Sequence, residues 1–216
     1  MTEPLTGRHV LITAGPTREP IDPVRFISNH SSGKQGYAIA AACAALGARV
    51  TLVAGPTALP DPDGVETIHI ETARDMLTAV ETALPADVFI AVAAVADWRP
   101  AEPSDRKLKL DKARFSSLPL VENPDILKTI GKLESGRPGL VIGFAAETHD
   151  VEALAIAKRA RKGCDWIVAN DVSGDVMGGA ENAVLLVTEA GSEAWDRAEK
   201  GRIAEQLAAR IATALD

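Results

Sequence analysis

The side chains with most to offer chemically crowd around one stretch. Thr13, Thr17, Arg18, Asp22, Arg25, Asn29, Ser31, Ser32 and Lys34 supply hydroxyls, an amide and cations, and Pro16, Pro20 and Pro23 stiffen the backbone that carries them. The run Ser28-Asn29-His30-Ser31-Ser32-Gly33-Lys34 ends where a helix begins, and the free N–H groups and positive dipole end there favour an anion. Phosphate or carboxylate is the natural guest. Neither standard phosphate motif is present: no G-x-G-x-x-G follows the preceding strand, and Gly33-Lys34 lacks both the following Ser or Thr and the earlier glycine of a Walker loop. The same residues also fit a polar surface loop that ends in a helix cap.

Further groups lie downstream. In DVFIAVAAVAD, Asp87 to Asp97, the small residues Ala91, Ala93, Ala94 and Ala96 leave room for a planar ligand near a strand's C-terminal end, and Asp97 stands where it could accept from a ribose hydroxyl. Tight helix packing on alanines, with Asp97 starting a turn, is the alternative. Trp98 to Leu118 is rich in Arg and Lys and has no sustained apolar pattern, which reads as a mobile basic flap able to fold over polyphosphate, or as a solvated face. Lys158 and Lys162, four apart on one helix side with no acid four residues away from either to pair with, fit a phosphate clamp or a solvated helix end.

The elements that must position these groups alternate in type. His9 to Thr13, Arg49 to Ala54, Glu66 to Ile70, Asp87 to Asp97, Gly139 to Ala146, Asp165 to Ala169 and Asn182 to Thr188 read as strands. Helices fall between them: Tyr37 to Leu46 with Gly47 as a left-handed cap, one capped by Thr72 with Asp75 three residues on, one from Pro124 to Glu134 capped by Asn123, one opened by Asp150, and a last one striped by Ile203, Leu207 and Ile211. The order implies an α/β fold: a Rossmann-like, doubly wound, mostly parallel sheet in three layers, with a C-terminal strand-helix extension. Residues 8–216 read as a single domain and 1–7 as a flexible lead or linker stub.

Composition bounds the class. With 46% hydrophobic residues the 216-residue chain can bury a substantial core, and a net charge of -7 argues against a nucleic-acid-coating protein. Cys43 and Cys164 read as small buried residues, as expected in a reducing cytoplasm. Neither a membrane span nor an export signal is apparent in the sequence.

ITAGPTREPIDPVRFISNHSSGKQG, then AAVADWRP, KLK, NPDIL, GFAAET, the Lys158/Lys162 pair and IVAND together resemble phosphopantothenate-cysteine ligase, also called phosphopantothenoylcysteine synthetase, of the bacterial CTP-using type. The resemblance runs over essentially the whole chain. It implies a step of coenzyme A biosynthesis in which the carboxylate of 4'-phosphopantothenate attacks the α-phosphate of CTP and the amine of cysteine then displaces CMP, with Mg²⁺ on the triphosphate. It implies that Asn29 and Lys107 are catalytic. Ala91, Val92, Ala93, Asp97, Lys107, Pro124, Asp125, Ile126, Leu127, Phe144, Lys158 and Lys162 would bind CTP, and Arg25, Asn29, Ala93, Ala94 and Asp97 would bind 4'-phosphopantothenate. Arg25 would act in the neighbouring subunit's site, so a homodimer with shared active sites is implied, as is a fused or partner flavin-dependent decarboxylase. The family's flap motif usually reads Lys-x-Lys-Lys, and Leu110 here replaces its last lysine, shifting weight to Lys109 or Lys112. No side chain stands out as a dedicated metal ligand.

Two other functions use the same fold. An NAD(P)-dependent oxidoreductase lacks support because the glycine fingerprint is missing and Tyr37 is the only tyrosine. A non-enzymatic nucleotide-sensing module would explain the fold and the basic run, but not Asn29 in its proline-stiffened frame.

Overall fold

The computed structural model describes residues 3–108, 117–171 and 181–216. In chain order the first elements are β1 (His9–Ala14), β2 (Arg18–Asp22), β3 (Arg25–Ser28), α1 (Lys34–Ala45), β4 (Arg49–Ala54), β5 (Val65–His69) and α2 (Ala73–Ala83). Next come β6 (Val88–Ala91), β7 (Trp98–Pro100), β8 (Leu120–Glu122), α3 (Ile126–Gly131), β9 (Leu140–Glu147) and α4 (Val151–Lys162). β10 (Trp166–Asp171), β11 (Glu181–Thr188), β12 (Gly191–Glu199) and α5 (Lys200–Leu215) complete the fold.

One eight-stranded sheet runs β12-β11-β10-β9-β6-β1-β4-β5, parallel from β10 to β5 and antiparallel where β11 and β12 join. Its faces carry different helices. Val10, Ile12 and Ala14 of β1 pack with residues of α1 and α5, whereas Leu11 packs with Met76 and Val80 of α2 and Ile130 of α3, so β1 is covered on both sides. This is the three-layer, doubly wound arrangement that the alternation of elements implies. Gly36 lets α1 lie close to the sheet, since a Cβ there would come within 2.5 Å of Ala14 Cβ. After β1 the chain builds outward through β4 and β5, then returns to place β6 on the other flank of β1, with Thr13 opposite Ala91. Ligands of open α/β sheets bind off the strand ends at such a reversal.

Several sequence expectations need correction. The strand read over Asp87 to Asp97 ends at Ala91, because the next N–H groups are taken elsewhere: Val92 donates to the Thr13 carbonyl at 3.1 Å, Ala93 to Thr13 Oγ1 at 3.3 Å and Ala96 to Thr17 Oγ1 at 3.0 Å. The proline-stiffened joint contains the β2–β3 hairpin, and the root of the basic run pairs as β7 with β8. α3 is capped by Asp125, which accepts from the Lys128 N–H at 3.1 Å, while Asn123 instead donates its side-chain amide to the Ala96 carbonyl at 2.8 Å. The flexible-lead reading fails for residues 3–7: Leu5 is fully buried, and its N–H donates to the Leu46 carbonyl at 2.8 Å. Ile156 of α4 is an exposed large hydrophobic residue. β12 was not foreseen, since only Trp195 along it is buried. Thr72 and Asp75 do form the capping box that their spacing predicts. The basic run's Lys109, Leu110 and Lys112, and most of the Gly-rich loop after β10, lie outside the described residues.

Candidate active site

Two clefts open at the C-terminal ends of the parallel strands. The first, about 490 Å³, lies between the ends of β1 and β6, the segment after β6, and the start of α3. Thr13 and Ala91 line it beside Phe144, and Asn123, Pro124 and Leu127 form its opposite wall. Asn123 joins the walls, because its backbone N–H donates to the Asp97 carbonyl at 2.8 Å while its side chain holds Ala96. The short side chains at Ala91, Ala93 and Ala96 are what leave the space.

Charge in this cleft is mixed: Asp97, Glu122 and Asp125 face Lys158 and Lys162. Lys162 forms an ion pair with Asp125. Burial alone would raise the Asp125 pKa, but the Lys162 ammonium and the Lys128 N–H more than offset it and hold the carboxyl below its ordinary range. Lys158 is pushed the other way from Asp125's burial term: its own burial first, then repulsion from Lys162, lower its pKa despite the partial compensation of Glu147.

The second cleft, about 400 Å³, sits over the start of α1. Gly33 at φ 76° turns the loop into the helix without a side-chain cap, which leaves the first N–H groups of α1 available. Asn29 and Ser31 line the cleft from the loop, Ala94 from the segment after β6, and Lys34, Lys158 and Lys200 supply charge. None of its described lining residues is a carboxylate. Asn29 Nδ2 donates to the Ala94 carbonyl at 2.9 Å, which fixes the amide plane while leaving its oxygen and second N–H unused. A lysine at a helix's positive end costs ~0.3–1 kcal/mol, and α1 tolerates Lys34 because burying one residue such as Ile39 returns ~1.5–3 kcal/mol.

The clefts share Ala93, Val95, Phe144 and Lys158. A group held in one can therefore meet a group held in the other at this junction, beside Asn29. Of the residues singled out from the sequence, Ala91, Ala93, Asp97, Pro124, Asp125, Ile126, Leu127, Phe144, Lys158 and Lys162 line the first cleft, and Asn29, Val92 and Ala94 line the second with Ala93, Phe144 and Lys158. Lys107 and Arg25 line neither. Arg25 instead binds Asp22, which accepts from Arg25 Nε at 3.1 Å and from the Leu108 N–H at 3.2 Å. The Arg25 guanidinium holds the buried Asp22 carboxyl far below the usual range. Among the polar lining residues, Glu122, Asn182 and Lys200 escaped sequence reasoning. A lysine as the first residue of a helix was the available signal at Lys200.

Relatives carry the same architecture. Residues 5–215 match the family model described as the DNA/pantothenate metabolism flavoprotein C-terminal domain. The chain is 45% identical over 215 residues to the coenzyme A biosynthesis bifunctional protein CoaBC of Vibrio vulnificus, covering 98% of this chain and 53% of that one. Against its counterpart from Escherichia coli K12 the figures are 45% over 213 residues, 96% and 52%. The chain thus spans about half the length of these relatives. Among solved structures, the C-terminal domain of a CoaBC protein superposes with a TM-score of 0.84 at 42% identity, covering 99% of this chain and 98% of that chain. A Cab2 mutant in complex with phosphopantothenate-cysteine, 17% identical with a TM-score of 0.75, covers 95% of this chain and 86% of that chain, and shares the fold. With a whole-domain family match and a fold common to these structures, the chain belongs to the family of DNA/pantothenate metabolism flavoprotein C-terminal domains.

Proposed function

We propose that this domain is a phosphopantothenate-cysteine ligase that uses CTP. The observation that carries the reading is the junction: a mixed-charge cleft at the sheet's reversal and a cationic cleft over a helix N-terminus meet at Phe144 and Lys158, with Asn29 alongside. The first suits a nucleotide, whose base or sugar can lie on the alanines and whose phosphates can reach Lys158 and Lys162. The second suits an acid bearing a phosphate.

A carboxylate is a poor acyl donor until one oxygen becomes part of a leaving group. In the first step that oxygen attacks the α-phosphorus of CTP, the P–O bond to the β-phosphate breaks, and pyrophosphate leaves. In the second the cysteine nitrogen attacks the acyl carbon, its proton is lost, the C–O bond to phosphate breaks, and CMP leaves. Lys158 at the junction would offset the charge of the carboxylate and the α-phosphate as they approach, and the uncharged Asn29 amide can donate to the acyl oxygen in both steps.

Mg²⁺ would accompany the nucleotide. Among the described residues no cluster of three or more His, Cys, Asp or Glu could cage a metal, but Asp97 and Glu122 offer hard oxygen donors in the first cleft. Mg²⁺ usually takes one or two carboxylates and completes its shell with phosphate and water, so this donor set fits an ion carried by the triphosphate. When bound, the ion would neutralise phosphate charge.

The twofold greater length of the relatives fits a decarboxylase fused to, or working beside, this domain in the cytoplasm. No helix among the described residues is long and apolar enough to cross a membrane. Val24 and Phe26 on one hairpin and Trp98, Leu120 and Val121 on the other are exposed, an apolar patch suited to a second copy of the chain that would bring Arg25 to the neighbouring site. The test is direct: purified protein with 4'-phosphopantothenate, cysteine, Mg²⁺ and each nucleoside triphosphate should release CMP and pyrophosphate with CTP. Turnover with no nucleotide, or none in the presence of all three substrates and Mg²⁺, would end the reading.

A further inference from the structure

A third cavity, about 470 Å³, opens beside Asn29 and shares Asn29, His30 and Ser31 with the second cleft. Pro16, Phe26 and Pro56 give it apolar walls, and Arg18 and Ser28 enter it from the paired strands β2 and β3. None of its described lining residues is a carboxylate. The backbone under Arg18 is tied down on every side. The Thr17 N–H and Asn29 Nδ2 donate to the same Ala94 carbonyl, at 3.2 and 2.9 Å, and Ser28 Oγ donates to the Thr17 carbonyl at 2.7 Å. The Arg18 N–H donates to the Glu71 carbonyl at 2.8 Å. The Arg18 guanidinium lies over the Phe26 ring, 4.8 Å from its centroid, and is in no ion pair among the described residues. A guanidinium held on a ring keeps its N–H donors for a carboxylate, which can take two of them at once. The other face of the ring remains for the apolar patch on the hairpin.

The two clefts provide for a nucleotide and a phosphorylated acid, and the amino acid must still reach the acyl group beside Asn29. Cysteine complicates this approach, because its thiol is a nucleophile that competes with its amine. Resting on the ligase reading above, we propose that the third cavity is the cysteine site and that Arg18 holds the carboxylate of the amino acid. With the carboxylate on Arg18 and the thiol against Phe26 and the prolines, the amine is the group left to face Asn29 and the acyl carbon. Its lone pair forms the C–N bond, the C–O bond to phosphate breaks with its electron pair on CMP, and the amine proton leaves with the CMP phosphate. Arg18 is thus a specificity-determining residue: an amine that lacks the carboxylate loses its anchor.

Cysteamine, which is cysteine without the carboxylate, separates this role from a structural one. In the unaltered protein kcat/KM should be at least about tenfold higher for L-cysteine than for cysteamine, the worth of one charge-assisted contact. Arg18→Gln should raise KM for cysteine by about that factor while turnover of cysteamine changes little, so the preference disappears, and Arg18→Lys should recover part of it. Exchange of labelled pyrophosphate into CTP, with 4'-phosphopantothenate present and cysteine absent, reports the first step alone and should be near normal in both variants. Unchanged KM for cysteine, a parallel loss with cysteamine, or loss of the exchange would each overturn the assignment while the ligase reading stands. If the unaltered protein shows neither exchange nor amide formation, the ligase reading falls, and thermal unfolding decides the cavity. There, L-cysteine raising Tm more than cysteamine does, with the difference gone in Arg18→Gln, keeps the site, and no such difference removes it.

Discussion

The two clefts share a wall yet treat charge in opposite ways. The first sets Asp97, Glu122 and Asp125 against Lys158 and Lys162, one of which is already paired with Asp125. A polyphosphate entering it without counter-charge would meet as much repulsion as attraction. The second sets Lys34, Lys158 and Lys200 against no carboxylate among its described lining residues and adds the N-termini of two helices. It can take a bare anion. The difference teaches that one strand-end surface can be divided between a ligand that brings its own cation and one that does not, with Lys158 the single ammonium common to both.

The strongest way to break this picture acts beside the shared wall, in the second cleft. Asn29→Ala should keep its fold, since the side chain is exposed, and should lower kcat by about 10²–10³-fold, the usual effect of removing one donor to a developing oxyanion. Single-turnover rates and circular dichroism would check it, and near-normal turnover would remove Asn29 from the chemistry. Lys158→Ala and Lys162→Ala should then separate the clefts. The first should raise KM for both CTP and 4'-phosphopantothenate, each by about tenfold, and the second should affect CTP alone. If Lys158→Ala moves only one of the two, the clefts do not meet where the geometry joins them.

The smallest effect concerns the hairpin that stands outside both clefts. Asp22 is held below its ordinary pKa by Arg25 and by the Val24 and Leu108 N–H groups, so the folded form binds its proton less readily than the unfolded chain. Its contribution to stability is fully present above the unfolded carboxylate pKa of about 4 and declines as pH falls below that value toward the depressed native one. Asp22→Asn should therefore be less stable than the unaltered protein at neutral pH, with the gap in Tm narrowing in acid, while KM values in both clefts change little. A gap independent of pH would show that the ion pair is not what holds Leu108.

Much of this was legible because function left marks on residue choice. Alanines at 91, 93, 94 and 96 stand where a core would take larger residues; Ala91 and Ala96 line the first cleft, Ala94 the second and Ala93 both. Lysines four apart had to share a helix side, and both reach the first cleft. The β2–β3 hairpin was hidden because Pro20 argues against a strand, yet it is tolerated in a two-stranded ribbon where its missing N–H faces no partner ladder on one side. The charged residues of β12 gave no buried-strand pattern, since that strand is the edge of the sheet and only Trp195 turns inward. Lys200 could not be found by motif spacing, because its neighbours in the cleft come from elements far away along the chain. Only the packing of α5 on α1 brings it there.

That packing also sets an order on synthesis. Every described residue of the first cleft lies between Thr13 and Lys162, so its walls can assemble while the ribosome is still adding the last strands. The second cleft lacks Asn182 and Lys200 until β11, β12 and the start of α5 have emerged, and until then the face of α1 carrying Ala38, Ala42 and Ala45 has no helix beside it. A nascent chain stopped before Glu181 would thus carry one half of the reaction centre and an uncovered apolar helix face, a recognisable target for chaperones and proteases.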